Sequence, residues 1–583
     1  MSTLPAFSSG KQRYCLHRAA ARLLGVLPAA LLLPALSLSA TVPPALSPQE
    51  IETSGAVIGH IRIVTVNVFD LDDPADDKKL FRLANRLHIL TRPAIIEQQL
   101  LFKSGDVYSE QLARETARLL RDQRYLYEAS VTPTLAERGK VDLEVRTKDV
   151  WTLNPGISFD RAGGKNSASM KFEESNLLGF GKEVQLEYAS DVDRASTRLG
   201  YYDPLLLGSR NRLRAGHADS SDGRQRELQF DRPFYSLDSR WSAGIGVLDW
   251  TRTDSRYDRG VAVDEFRHDE QRFGAHFGLS RGLRKGWVQR WTYGFAFERD
   301  RFAQAAGELP AAVLPADRTL AYPLVGFELL EDSYEERRNE NQIARTEDVY
   351  TGAFLRAMLG WSSSALGADR TATLVSLEAG RSFELAERRH TILLAATADG
   401  RIEGGTLRNA AVNADAQYYW RASDRQLFFA SLTGVLTRHP DAETQLLLGG
   451  DASGLTTGAP RNPSATEPLF SGSQTSLRGY PLRYQDGTAL ALLTLEHRVY
   501  TDYYLFRLFH LGGAVFFDAG RTWGKGNAGG TSDGWLTDAG FGLRFASSRS
   551  SFGNVIHIDL AFPFDGDSSI DNVQFLVETK RSF

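Results

Sequence analysis

The sequence predicts a mainly β protein: a C-terminal antiparallel barrel that crosses a membrane with its strands, preceded by one small β-α-α-β-β domain. Three observations predict it. From residue 151 onward, stretches of about nine to twelve residues alternate apolar and polar side chains between turn residues. Beyond the first forty residues, no run of about 18 apolar residues offers a membrane-spanning helix. The mean hydropathy of −0.30 suits a membrane barrel as well as a soluble protein, because lipid-facing and lumen-facing positions average out.

Composition sets the outer bounds. The chain has 583 residues, 42% hydrophobic and 24% charged, which excludes disordered, collagen-like and coiled-coil chains. With 68 Lys and Arg against 72 Asp and Glu, the net charge is −4, so no basic excess points to nucleic acid. A single Cys excludes a disulfide framework and a Cys-based zinc or iron–sulfur site. The 52 Gly and 32 Phe against 3 Met suit a β-rich chain with many turns.

The first forty residues read as an export address. Lys11, Arg13, Arg18 and Arg22 precede an apolar run, 23–40, broken by Pro28 and Pro34, and no acid appears before Glu50. A basic start, an apolar middle and a small-residue end form a secretory signal. Cys15 lies within it, so the exported chain carries no Cys. Residues 41–57 are Pro/Ser-rich and read as a linker.

The small domain is expected over 58–150. HIRIVTVNVF (60–69) alternates as a strand. The acidic run Asp70, Asp72, Asp73, Asp76, Asp77 lacks the glycine and distal Glu of a calcium loop and reads as solvated. Residues 92–102 read as a helix, broken at Gly105. Ser109 caps a second helix, 110–125, with Leu112, Thr116, Leu119 and Leu120 on one face. Two strands, 128–135 and 140–147, close the unit.

The barrel is expected over 151–583. Its alternation is plainest near the end of the chain. Leu493, Leu495 and Val499 share one face, and Thr494, Glu496 and Arg498 the other. Val515 and Phe517 oppose Asp518 and Gly520, and Phe541, Leu543 and Phe545 oppose Asp538 and Arg544. Ile556, Ile558, Leu560 and Phe562 oppose His557 and Asp559, and the last strand aligns Val573, Phe575, Val577 and Phe583. Long loops, such as 302–320 and 437–487, alternate with short turns, such as 176–182 and 386–389. Walking the chain gives about fifteen strands before residue 475 and five after it, nearer twenty than sixteen. Segments 265–280 and 410–421 are the weakest, open to a loop reading. The same alternation would also suit a soluble sandwich or propeller; the export signal, the lack of Cys and the terminal Phe favour the barrel.

Five stretches carry a family resemblance. They are RYLYEASVTPTLAERGKVDLEVRTKDVWTL (124–153), ESNLLGFGKEVQLEY (174–188), SLRGYPLRYQDG (476–487), TLEHRVY (494–500) and VFFDAGRTW (515–523). The chain resembles the bacterial surface antigen superfamily, the outer-membrane assembly factors of the BamA and TamA type together with two-partner secretion transporters. The small domain resembles a polypeptide-transport-associated (POTRA) domain. The resemblance implies a sixteen-stranded barrel in the outer membrane of a Gram-negative bacterium, with the POTRA domain in the periplasm. It also implies that Arg478, Gly479 and Tyr480 form the tip of a long loop folded back into the lumen. There Arg478 meets Glu496 and Asp518 on the wall, beside Gly520. A guanidinium bridges two carboxylates with forked donors, which Lys does not reproduce. Phe583, with Phe575 and Val577, matches the family's C-terminal assembly signal.

The function so implied is insertion or translocation of client polypeptides without ATP. The partners are outer-membrane lipids, unfolded outer-membrane or secreted clients, and periplasmic chaperones or accessory lipoproteins; nucleic acid is not among them. Client capture would use strand addition to the POTRA sheet edge. The alternatives are a transporter dedicated to one secreted partner and a passive or structural barrel. No catalytic residue, cofactor or metal site is expected. The Gly-x-Ser-x-Gly match at 530–534 lies between two strands rather than in the strand–turn–helix context of a hydrolase elbow.

Overall fold

The computed structural model describes residues 47–583 apart from 136–138, 308, 387, 451–453, 456–475, 530–533, 551–554, 567, 569 and 581–583. The expected export signal, most of the Gly-x-Ser-x-Gly segment, and Phe583 lie outside the described residues.

Twenty strands close into one antiparallel barrel, from Leu153–Ala162 to Gln574–Lys580. Fifteen precede residue 475 and five follow it, so the sixteen implied by resemblance is corrected to twenty. The weak segments 265–280 and 410–421 fall inside the strands Val261–Arg284 and Thr406–Ser423. Their alternation is faint because inward positions of a wet lumen tolerate small and charged residues equally. Elsewhere the alternation sorts the side chains cleanly. Leu495 is 43% exposed on the outer face, while its neighbour Thr494 is fully enclosed. Val515, Phe541 and Phe575 likewise face outward, and Asp518, Arg544 and Asp559 inward.

The first and last strands meet thinly. Among the described residues they share one backbone pair, Val577 with Arg161, whereas the first two strands pair continuously from Leu153–Glu174 to Ala162–Lys165. A side chain adds to the junction, Asp160 Oδ1 accepting Thr579 N (3.1 Å), and nearby Ser550 Oγ, in the turn before the penultimate strand, donates to Asn154 Oδ1 (2.8 Å).

The small domain begins with helix α1 (Pro48–Thr53), inside the stretch read as linker. A capping box between Ser47 and Glu50 starts it. Strand β1 (Val57–Val66) follows, then α2 (Lys79–Leu87), α3 (Pro93–Glu97), α4 (Glu110–Arg121), β2 (Leu126–Leu135) and β3 (Lys140–Asp149). The domain therefore has one helix more between β1 and β2 than expected, and the helix expected over 92–102 shrinks to α3. The α2 segment escaped notice because its leucines are not covered by the domain's own core. The sheet order is β1-β3-β2, with β1 parallel to β3. Ile58, Ile96, Leu120, Leu126, Leu143 and Val145 make the core. Each such fully buried side chain stabilises the fold by about 1.5–3 kcal/mol.

This domain packs against one end of the barrel. Arg124 pairs with Glu173 (2.6 Å) and Glu183 (2.8 Å) on two strands. Arg92 stacks on Phe180 at 3.9 Å, and its backbone N–H donates to Gly179 O (3.1 Å). The acidic run 70–77 is not simply solvated. Asp76 is buried between Arg507 (2.9 Å) and Arg549 (2.6 Å) of two barrel turns. Asp76 and Arg549 are both buried while Arg507 is partly exposed, so removing Arg549 is the costlier half of this clamp.

Candidate functional site

The long loop after Gln426–Arg438 folds into the barrel. At its end Arg478 is buried against the inner wall. Its Nε donates to Asp518 Oδ2 (2.7 Å), one terminal nitrogen to Asp518 Oδ1 (3.0 Å) and the other to Glu496 Oε1 (2.7 Å). Alternation aims both acids inward, on the adjacent strands Ala489–Leu505 and Phe509–Trp523. The guanidinium also lies 3.4 Å above the Phe516 ring, a favourable place for a cation over a π face. Thr494 Oγ1 holds Asp518 from the other side at 2.7 Å.

The neighbours of Arg478 explain their own identities. The sequence suggests Gly479 for a tight turn, yet its backbone is not left-handed. The constraint is space: a Cβ there would lie 2.7 Å from Asp538 Cβ and 3.2 Å from Pro563 N. Tyr480 is fully enclosed, and its hydroxyl donates to Thr537 O (2.8 Å). Gly520 leaves room for Leu448 of the same long loop, whose Cδ2 would be 3.1 Å from an added Cβ. Further along, Asp441 of the loop receives Arg318 (2.8 Å) and Arg401 (2.6 Å) from the wall.

A second segment enters the lumen from the opposite end, and sequence reasoning missed it. Residues 332–353 join the strands Arg318–Glu331 and Phe354–Ser362. They form a hairpin, Tyr334–Arg338 paired with Thr346–Tyr350. Its tip lies against the inner wall. Ile343 packs with Leu393, Tyr419, Phe429 and Tyr500, all inward-facing. Glu340 O accepts from Arg498 (3.0 Å) and from the Tyr500 hydroxyl (3.1 Å). Glu347 closes the tip by accepting the backbone N–H groups of Glu340 (3.0 Å) and Asn341 (2.9 Å). The one sequence signal was the charged run EERRNENQ (335–342) where a short turn would suffice.

Arg498 joins the two segments. Its Nε donates to Glu496 Oε2 (2.9 Å), the same carboxylate that receives Arg478. The polar chain therefore runs from loop Arg478 through Glu496 and Arg498 to hairpin Glu340. The small domain grips the hairpin from outside the lumen. Arg121 on α4 donates through Nε to Asp348 Oδ2 (2.7 Å) and through a terminal nitrogen to Glu336 Oε1 (2.7 Å). Tyr127 donates to Ala344 O (2.7 Å), and Arg118 stacks on Tyr334 at 3.6 Å.

At the domain–barrel junction, Asp149 Oδ2 accepts Thr91 N (2.7 Å) and Thr91 Oγ1 (3.0 Å). Burial pushes its carboxyl up to about 7, while burial pulls nearby His88 down to about 4. Of the C-terminal residues, Phe575 and Val577 face outward on the last strand.

Comparisons with known proteins come to this. No family model matches the chain. A protein of Treponema pallidum (strain Nichols) that carries the name of an outer membrane protein assembly factor is 28% identical over 128 residues, 20% of this chain. The chain covers 15% of that relative's length. CdiB from Escherichia coli aligns with a TM-score of 0.44 at 11% identity, over 91% of this chain and 77% of that one. BamA from Haemophilus ducreyi lacking POTRA domains 1–3 aligns with a TM-score of 0.37 at 12% identity, over 90% and 85%.

Proposed function

We propose that the protein is an outer-membrane barrel that inserts or translocates client polypeptides, with its small domain, read as a POTRA domain, in the periplasm. The observation that carries this reading is the closure of the lumen from both ends by segments held through polar contacts. The polar ties through Arg478, Arg498 and the Glu340 carbonyl can be exchanged for those of a client, beside the apolar packing of Ile343, Leu448 and Tyr480. The match to the Treponema protein and the thin junction between the described residues of the first and last strands support the same reading. Clients would reach the sheet of the small domain first and the barrel next, with no nucleotide involved.

Depletion of the protein followed by outer-membrane and secretome proteomics tests this. Loss of several barrels supports an assembly factor, and loss of one secreted protein supports a dedicated transporter. An unchanged proteome overturns both.

A further inference from the structure

Helix α2 leaves a leucine face uncovered. Leu80, Leu83 and Leu87 fall on one side by their i, i+3, i+7 spacing, and Leu80 and Leu87 are 68% and 64% exposed. Ile89 and Leu90 continue the exposed surface beyond the helix. The neighbouring face is used: Phe81 and Ala84 pack on Val68 and Phe69, and on Trp151 and Leu508 of the barrel. Flanking the leucines are Lys79 and Arg86, both exposed. Among the described residues, no carboxylate lies within ion-pair distance of either. No acid occurs between Lys78 and Ala94.

The location matters as much as the pattern. Trp151 lies two residues before the first barrel strand begins at Leu153, and Leu508 lies in the turn after Ala489–Leu505. That turn also carries Phe506, 81% exposed, next to the outward-facing Tyr503 and Leu505. Helix α2 is thus seated at the rim of the barrel, on Leu508 of the turn that carries Phe506. Asp77, just before the helix, is taken up by Arg82 on its other side, and an exposed leucine stripe flanked by Lys79 and Arg86 is the composition of a helix lying in an anionic membrane interface.

We propose that α2 and residues 88–90 dock on the anionic headgroup and upper acyl region of the leaflet around the barrel. This rests on the reading of the barrel as membrane-spanning. The leucines enter the apolar boundary while Lys79 and Arg86 reach the phosphates. The contact fixes the domain's tilt beside the junction of the first and last strands.

The test uses the full chain with Cys15→Ser, in single-copy lipid nanodiscs of phosphatidylcholine with or without about one-third phosphatidylglycerol. Leu83→Cys or Leu495→Cys carries an NBD fluorophore, and nitroxide lipids labelled high on the acyl chain act as quencher. Position 495 reports the barrel in lipid. At position 83 we expect emission to fall by about half in anionic discs, and the loss to shrink in K79Q/R86Q. Quenching at 495 with none at 83 overturns the proposal and leaves the barrel reading standing. Quenching at neither position overturns the barrel reading itself. Equal quenching at 83 in neutral and anionic discs, or shielding of 83 without quenching when an unfolded client is added, also overturns the proposal.

Discussion

Arg121 and Asp348 are 227 residues apart in sequence, yet the Nε of one lies 2.7 Å from the Oδ2 of the other. The pair ties α4 of the small domain to the hairpin that enters the lumen. It makes the domain part of the closure rather than a spacer hung below the barrel. A movement of the domain pulls on the hairpin, and the hairpin shares Arg498 and Glu496 with the loop held from the far end.

Arg121→Ala should therefore open the lumen without unfolding the barrel. Asp348 is left half-buried without its main cation, at a cost on the order of 1–3 kcal/mol. The expected outcome is larger single-channel conductance in planar bilayers and faster proteolysis between 332 and 353, with the heat-resistant folded form retained. Wild-type conductance in the variant would show that the hairpin is held by its lumen contacts alone.

Arg478→Ala removes a buried cation from two carboxylates. Leaving Glu496 and Asp518 facing each other's charge should cost about 3–5 kcal/mol, the range for half of a buried pair. Heat-modifiability on semi-native gels reads it as a lower unfolding temperature. Arg478→Lys should recover only part, since an ammonium cannot reproduce the forked contacts. Gly479→Ala should be harmful through a different cause, the 2.7 Å approach to Asp538 Cβ. If Gly479→Ala behaves as wild type, the loop tip has room that the structure denies it.

The barrel was legible because period-two alternation survives one residue at a time. Leu495 outside and Thr494 inside can be read without knowing any partner. The acids Glu496 and Asp518 were legible in the same way, and resemblance supplied the cation they meet. The lumen hairpin was not legible. Its strands are short and charged on both faces, so neither pattern nor hydropathy separates it from a turn. Asp76 was read as solvated because its partners, Arg507 and Arg549, lie more than 400 residues away. Helix α2 failed for the opposite reason. Its leucines have no cover within the domain, so nothing in the domain's own pattern called for them.

Asp149 should make the small domain pH-sensitive. Its carboxyl titrates near 7 when folded, against a usual 3.8. The folded state then holds its proton longer, so stability falls as pH rises from about 4 to about 7 and is flat above. His88, titrating near 4 instead of 6.5, contributes the opposite slope, losing stability as pH falls below about 6.5. Asp149→Asn removes the first term and keeps the second. Hydrogen exchange of small-domain amides, corrected for intrinsic rates, should show the variant better protected than wild type at pH 8, with a smaller advantage at pH 5 that vanishes near pH 4. An equal difference at both pH values would assign the effect to packing around Thr91 rather than to charge.

The junction between first and last strands makes the sharpest prediction about mechanism. Arg161 and Val577 are direct partners across it, the one backbone pair the two strands share among the described residues. Arg161→Cys with Val577→Cys, in a Cys15→Ser background, should form a disulfide in oxidant without disturbing other strand pairs. Directly opposed strand residues have Cβ atoms about 4.5–5.5 Å apart, close enough for small backbone shifts to bridge them. If clients enter the bilayer through this junction, the locked barrel should lose insertion of the clients that depletion identifies, and reductant should restore it. Secretion through the lumen should survive the same lock, because it needs only the loop and the hairpin to move. Full insertion by the oxidised protein would move the exit path away from the junction and into the lumen that Arg478 and Glu340 close.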